Sequence, residues 1–485
     1  MSGGAGFAGA GAGKDAFDVV VVGSGGGGGV VAGELAQRGR DVLLLETGPH
    51  LTAADFSRWE AKMTHDLFWP IRFAPLPGGD VVAFLAGRCV GGTTTINTKI
   101  AWRATEADVA KWHPATGLTN ERGEPFSTAD LAPHYDRVER VLGVRERADW
   151  TKSVRTVEAG FKALGHELHP AMSYTDANCM RCGSCMQGCS TNAGKSTLNT
   201  YIHDPWVRDL LELRANATVG RVLIEGSEAT GVEYADGDGT HTVRAKAVVV
   251  AGGALNTPQI LGRSGLDAPA IGSHLGLHPV RLVYGLFDEP QDAHMVYPIT
   301  AHCTTFQDDA DGGFVIEATT IQDPISFATT LRDEQGPMWG PRLIEAARKF
   351  RHWVGVIAMV TDDNNASVHV EDGHERFDLD FQPAEQERLD TSLRFCREVL
   401  EASGATQIAW TGLASTHVQG SCRMGDDPER SATDRNGEVH GVRRLFVGDA
   451  SLIPRTLSVN PSLTIMALAS RLAEHLDADP AGYLD

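Results

Sequence analysis

The hydrophobic pattern opens with four consecutive valines, Val19 to Val22, the kind of uninterrupted β-branched run that a strand buried on both faces requires. Glycines follow directly. Val30, Val31, Leu35 and Ala36 then recur at helical spacing, and a second apolar run, Val42 to Leu45, ends on Glu46. Strand, turn, helix and strand in this order predict a parallel βαβ unit. Residues 247–265, AVVVAGGALNTPQILGRSG, give another apolar strand, a glycine pair and a helix start with Asn256 at the N-cap and Pro258 in the first turn. Residues 444–476 give a strand ending on Gly448-Asp449, a loop and a long helix. There Asn460 is the expected N-cap, Pro461 the first helical residue, and Leu463, Met466, Ala467 and Ser470 mark a buried face at i, i+3, i+4 and i+7. From 281 to 412 the period changes to strict alternation, as in Ala366 to Glu371 (ASVHVE), which predicts antiparallel sheet.

The fold class is therefore α/β (α+β overall), a Rossmann-like domain beside an antiparallel-sheet domain. Residues 17–101, 213–278 and 416–476 form a discontinuous nucleotide-binding domain, and 281–412 a substrate-binding domain. Residues 102–212 connect them and carry a cysteine-rich loop at 179–189, while 1–16 read as a disordered Gly/Ala leader. The length of 485 residues agrees, since it exceeds what one core usually supports.

Charge narrows the partners. Lys and Arg total 43 against 63 Asp and Glu, a net −20 that repels phosphate backbones and argues against nucleic acid. No run approaches the ~18 apolar residues of a membrane span, and the leader has neither the basic nor the apolar region of a Sec signal, so a cytoplasmic enzyme is expected.

The chemistry begins at Gly23, Gly25 and Gly28, a GxGxxG between strand and helix. Such glycines allow the tight turn, the approach of backbone to a pyrophosphate and close helix–strand packing, and the helix N-terminus favours the anion. Glu46 lies where a carboxylate accepts from a ribose hydroxyl. This unit alone does not separate NAD from FAD. Completion by segments from both ends of the chain suits a long ligand that spans the molecule, as FAD does.

Three segments carry a specific resemblance: GRCVGGTTTIN (87–97), AGGALNTPQILGRSG (251–265) and HVQGSCRMG (417–425) with the Asn-Pro helix. They resemble the signatures of the glucose–methanol–choline (GMC) oxidoreductases, over Phe17 to Leu476. GSGGGGGVVAGELA (23–36) and GKSTLNTYI (194–202) look nearer the cholesterol oxidase and long-chain alcohol oxidase branch. The resemblance implies FAD-dependent oxidation of a sterol, long-chain, aromatic or sugar hydroxyl, with oxygen or another electron acceptor. It implies His417 as the base, a task an imidazole of pKa ~6.5 suits, and Asn460 as the amide that orients the substrate oxygen. Cofactor contacts are expected at Arg88, Gly92, Thr93 and Asn97, at Val222, and at Gly448, Asp449, Asn460 and Pro461. Thr93 to Asn97 contain no histidine where some relatives attach flavin, so non-covalent FAD is expected. His278 reads as a structural His-Pro. Glu317 (GGFVIEATT) falls where the resemblance puts the acidic residue that cholesterol oxidases carry over the pocket, and a strand-edge carboxylate is the preferred reading.

Cys179, Cys182, Cys185 and Cys189 have the CxxCxxCxxxC spacing of ferredoxin ligands, with Ser190 in place of the usual proline. An iron–sulfur cluster, a zinc site and structural cysteines all stay open, zinc being the poorest fit because its sites favour two separated CxxC pairs. Flavin monooxygenases and disulfide reductases need a second glycine-rich fingerprint in mid-chain, which is missing. A flavin/iron–sulfur electron-transfer protein would need neither the base nor the large sheet.

Overall fold

A computed structural model describes residues 14–76, 80–204, 207, 210–319, 323–371 and 374–484. The leader lies, up to residue 13, outside the described residues, and Ala16 already opens the first strand. That strand, β1 (Ala16–Val22), leads to α1 (Gly26–Gln37) and β2 (Val42–Glu46). Val19, Val20 and Val21 are wholly buried, which is why an unbroken valine run is stable here and nowhere on the surface.

Among the described residues β1 and β2 belong to a seven-stranded sheet. Its order runs Leu211–Ala215, β2, β1, Gly239–Val250, Glu228–Asp236, Thr218–Glu225, and Leu445–Val447 also pairs with Gly239–Val250. The Gly239–Val250 strand serves two neighbourhoods. Its first half forms an antiparallel hairpin with Glu228–Asp236, while Ala247 to Val250 run parallel to β1, and Val248 to Val250 to Leu445–Val447. Val22, Glu46, Val250 and Val447 thus end at one edge, the carboxyl edge where open parallel sheets bind ligands.

The second sheet has twelve strands among the described residues. Val280–Leu286, Trp353–Val360, Phe314–Thr319 and Ile299–Cys303 are antiparallel neighbours at its centre. It also takes Arg72–Pro75 and Val81–Phe84 from the N-terminal part and Arg145–Arg147 and His169–Ser173 from the connecting region. Ala366–Glu371, by contrast, forms a separate two-stranded hairpin with His374–Leu379. Only Ala366 and Val368 of that strand are buried, so its alternation hides too little surface to enter the larger sheet. The short strand Leu413–Ser415 lies parallel to Val81–Phe84 and meets Val280 at Ala414, which draws the chain around residue 278 toward that around residue 417.

One core lies about the nucleotide sheet, with Val20, Leu44 and Phe446, and a second lies between the large sheet and the helix Pro383–Ala402, with Phe314, Val356 and Phe395. No helix among the described residues is long and apolar enough to cross a membrane.

Candidate active site

The loops at the carboxyl edge wall a cavity of ≈ 240 Å³ that includes Gly23, Gly25, Glu46, Thr93, Asp449 and His417. Gly23 has φ +96°, and a Cβ there would stand 2.3 Å from the Ala251 carbonyl oxygen. Gly25 faces open space, for a Cβ on it meets nothing within 4 Å. As cap residue of α1 it also offers no side chain to the first helical N–H groups, which leaves them for an anion. Gly28 does not wall the cavity. Its missing Cβ makes room for the Gly23 carbonyl, 1.9 Å from where that Cβ would lie. Gly448 also stands behind the wall, with Gly27 packed on its carbonyl.

Glu46 lines the cavity and holds the glycine loop in shape. It accepts from the Ser24 amide (3.0 Å), the Ser24 hydroxyl (2.6 Å) and the Gly48 amide (2.8 Å). Burial pushes its carboxyl pKa up and these hydrogen bonds oppose the shift. Each carboxylate oxygen has two acceptor sites, so capacity remains for a ribose hydroxyl. Asp449 joins the second and third segments by accepting from the Gly253 amide (2.7 Å), the Thr257 hydroxyl (2.5 Å) and the Ser451 amide (2.7 Å). Gly92, Thr93 and Asn97 line the cavity, and Asn97 Oδ1 is fixed by the Tyr174 hydroxyl at 2.8 Å.

Two expected contacts are displaced. Arg88 stands behind the wall, its guanidinium 5.9 Å from the centre of the Trp69 ring, because its backbone packs against Gly48. Val222 is buried with its amide on Ser264 Oγ (2.8 Å). A bulge between Val219 and Arg221 shifts the strand, and Thr218 and Val219 form the wall instead. The uncapped helix end, the bare Gly25 backbone and the carboxylate at the end of β2 fit the pyrophosphate and ribose of a dinucleotide.

His417, Asn460 and Pro461 wall the same cavity. Desolvation lowers the His417 pKa to about 4, so its imidazole is neutral at pH 7. Its Nδ1 lies 3.2 Å from Nδ1 of His278, a wholly buried ring. The helix Ser462–Ala478 begins one residue later than the sequence predicts, with Pro461 in the cap position at φ −80°, ψ −9° and its carbonyl accepting from the Ile465 amide (2.9 Å). Asn460 is therefore not the cap. Its Nδ2 approaches Met359 Sδ (3.5 Å), and Oδ1 is buried without a hydrogen-bond partner among the described residues. Leu463, Met466, Ala467 and Ser470 form the buried face as read.

Glu317 is not at a strand edge. Phe314–Thr319 is paired on both sides, and the side chain is fully buried next to Asn460. Neither carboxyl oxygen has a partner of good geometry among the described residues, and burial pushes the pKa up to about 8 although Asn460 opposes it. Ser24 walls the cavity and is a lining residue that sequence reasoning missed, while His278 and Glu317 stand behind the lining residues His417 and Asn460. The signal for Ser24 was a hydroxyl inside the glycine fingerprint.

The four clustered cysteines line a second cavity, of ≈ 120 Å³, and all are free thiols. Cys189 Sγ accepts from the Gly194 amide (3.2 Å), and the buried Lys99 ammonium donates to the Thr94 and Thr95 carbonyls of the first signature. Among the described residues no three His, Cys, Asp or Glu side chains are placed to hold a metal ion, which speaks against zinc.

Comparison with known proteins agrees with the geometry. Models of the GMC oxidoreductase N- and C-terminal regions match residues 17–280 and 371–469. Paromamine 6'-oxidase of Streptomyces fradiae is 29% identical, over 96% of this chain and 92% of its own. A long-chain-alcohol oxidase of Arabidopsis thaliana is 27% identical, over 93% of this chain and 67% of its own. The solved structure of pyridoxine 4-oxidase from Mesorbium loti shares the fold, with a TM-score of 0.74 at 19% identity over 95% of this chain and 99% of that one. The chain belongs to the GMC oxidoreductases, FAD-dependent enzymes that act on CH–OH donors.

Proposed function

We propose that this enzyme oxidises an alcohol to a carbonyl compound, with His417 removing the hydroxyl proton and Asn460 orienting the alcohol oxygen. Bound FAD would supply the acceptor for the hydride that leaves the carbinol carbon. The α1 N-terminus with Gly23 and Gly25 would hold its pyrophosphate, Glu46 a ribose, and Thr93, Asn97, Asp449 and Pro461 the remainder. The observation that carries this reading is that His417 and Asn460, from two distant segments, open onto the same cavity as the glycine loop. A neutral His417 has a lone pair for the proton, and Asn460 walls the same cavity with an amide that can orient a hydroxyl. His417 is the single histidine among the described lining residues, and no cysteine is among them, which supports non-covalent FAD.

The test is anaerobic bleaching of the flavin by 1-dodecanol, benzyl alcohol, cholesterol and glucose. His417→Ala should keep its FAD and slow reduction by ~10²-fold or more, the usual contribution of a general base. Reduction at the normal rate would remove His417 from the role. Bleaching by none of the four would favour an electron-transfer flavoprotein.

A finer reading concerns the acceptor. Four free thiols around one cavity, with an amide N–H on Cys189 and a buried ammonium beside them, support an iron–sulfur cluster that passes electrons onward singly. Iron and sulfide in anaerobically purified protein test it. Near-zero iron with fast turnover on oxygen would leave a structural loop and an oxidase.

A further inference from the structure

We propose that His278 is a positioning residue for His417, its Nδ1 accepting the Nδ1–H of His417 so that Nε2 is bare toward the cavity and ready for the alcohol proton. The proposal rests on His417 being the base.

Two imidazole nitrogens 3.2 Å apart attract only if one carries the hydrogen and the other the lone pair. When Nε2 takes the alcohol proton, both His417 nitrogens carry hydrogen, and the acceptor within reach of Nδ1–H is His278 Nδ1. The proton leaves the hydroxyl oxygen for Nε2, the hydride leaves the carbon for the cofactor as described above, and the positive charge is shared along the imidazole pair. A carboxylate orients the histidine of the serine-protease triad in the same sense. Here the acceptor is neutral, so no second charge is buried.

The surrounding backbone holds this contact against strain. His278 has φ +45°, a conformation that few residues other than glycine adopt and in which Asn, Asp and His are over-represented. Asp362 accepts from the amides of Leu277 (2.9 Å) and His278 (3.0 Å). Gly276 and Gln419 exchange amide–carbonyl bonds of 2.8 and 3.0 Å, and the Ser415 hydroxyl donates to the Leu277 carbonyl. Three ties thus join the 276–278 segment to the 415–419 segment or fix its backbone. With Nδ1 accepting, the proton of the neutral His278 ring sits on Nε2, which is buried without a partner among the described residues, so the cost of that N–H is borne by the surrounding ties.

The experiment compares His278→Asn with His278→Leu. Asn places Oδ1 where Nδ1 stood and tolerates positive φ, whereas Leu places a methyl group there. With FAD content and 1-dodecanol (or whichever of the four alcohols bleaches fastest) as probes, Leu should slow flavin reduction by ~10–100-fold with KM nearly unchanged, and Asn should recover to within ~10-fold of wild type. The proposal is overturned if Leu, with FAD bound, reduces at the wild-type rate, or if Asn falls as far as Leu. Should Leu fail to fold, nitrogen-15 shifts of labelled histidine in the wild-type holoenzyme decide. His417 protonated on Nδ1 supports the proposal, and on Nε2 overturns it. His417→Ala run in parallel separates the failures: normal reduction there removes the base itself, whereas slow reduction there with a fast His278→Leu removes only the pairing.

Discussion

The two ends of the flavin cavity are built on opposite terms. At the nucleotide end, Glu46 and Asp449 are buried carboxyl groups that each accept three hydrogen bonds from neighbouring loops. At the reacting end, His278 Nε2, Asn460 Oδ1 and both Glu317 oxygens are buried without partners among the described residues. An unpartnered buried polar group costs about 1–3 kcal/mol. The contrast is between two carboxyl groups that the protein satisfies by itself and a reacting end where buried polar atoms go without.

The largest expected effect breaks the satisfied end. Asp449→Ala strands the Gly253 amide, the Thr257 hydroxyl and the Ser451 amide, and should lower stability by about 3 kcal/mol or more and release FAD. Urea unfolding and flavin absorbance measure both. A loss below ~1 kcal/mol would mean that this carboxyl does not hold the end together.

Asn460→Leu sharpens the other side. It replaces an orphaned carbonyl by an apolar group of similar shape, so stability should stay level or rise by about 1 kcal/mol while flavin reduction slows by ~10-fold. Marked destabilisation would show that Asn460 is structurally satisfied and would close the gap between the two ends.

The smallest effect is a pH signature. The Glu317 carboxyl has its pKa raised from 4.5 to about 8, so between these values the folded protein keeps a proton that the unfolded chain has lost. Stability must then fall as pH rises through that window and level off above it. Glu317→Gln cannot ionise, and its melting temperature relative to wild type should climb from pH 5 to pH 8.5. His417 acts with the opposite sign, since its pKa is lowered from 6.5 to about 4 and its neutral form is favoured on folding. Its contribution is present above 6.5 and is lost as pH falls toward 4. A melting profile with His417→Ala and Glu317→Gln separates the acid side from the alkaline side.

Local sequence made one end legible and hid the other. Gly23, Gly25 and Glu46 act within a single βαβ unit, where spacing along the chain is spacing in space, and they stand where the pattern puts them. Val222, expected from the resemblance, lies behind the wall, and past the bulge at Val219/Arg221 it is Thr218 and Val219 that line the cavity. Asn460 and Pro461 have the residue types of a helix start, but the proline in α conformation takes the cap position, and Asn460 lies before the helix as part of the cavity wall. His278 and Glu317 read as structural for a different reason. Each meets its neighbour only in the fold, His278 reaching His417 beside the clasp of Gly276 and Gln419, and Glu317 reaching Asn460 from the middle of the large sheet. Sequence separation carries no mark of such meetings.

The pairing of Val248–Val250 with Leu445–Val447 also sets an order of events during synthesis. The early strands β1, β2 and Gly239–Val250 leave the ribosome long before their last parallel neighbour. At ~5–20 residues per second the interval of about 200 residues takes roughly 10–40 s. For that time the carboxyl edge has its glycine loop but lacks Asp449, His417 and the Ser462–Ala478 helix. Cofactor capture therefore belongs to the end of biogenesis, when the late segment closes over an assembled half. A nascent chain arrested near residue 300 should hold flavin weakly, whereas release of the final helix should coincide with retention of the yellow colour.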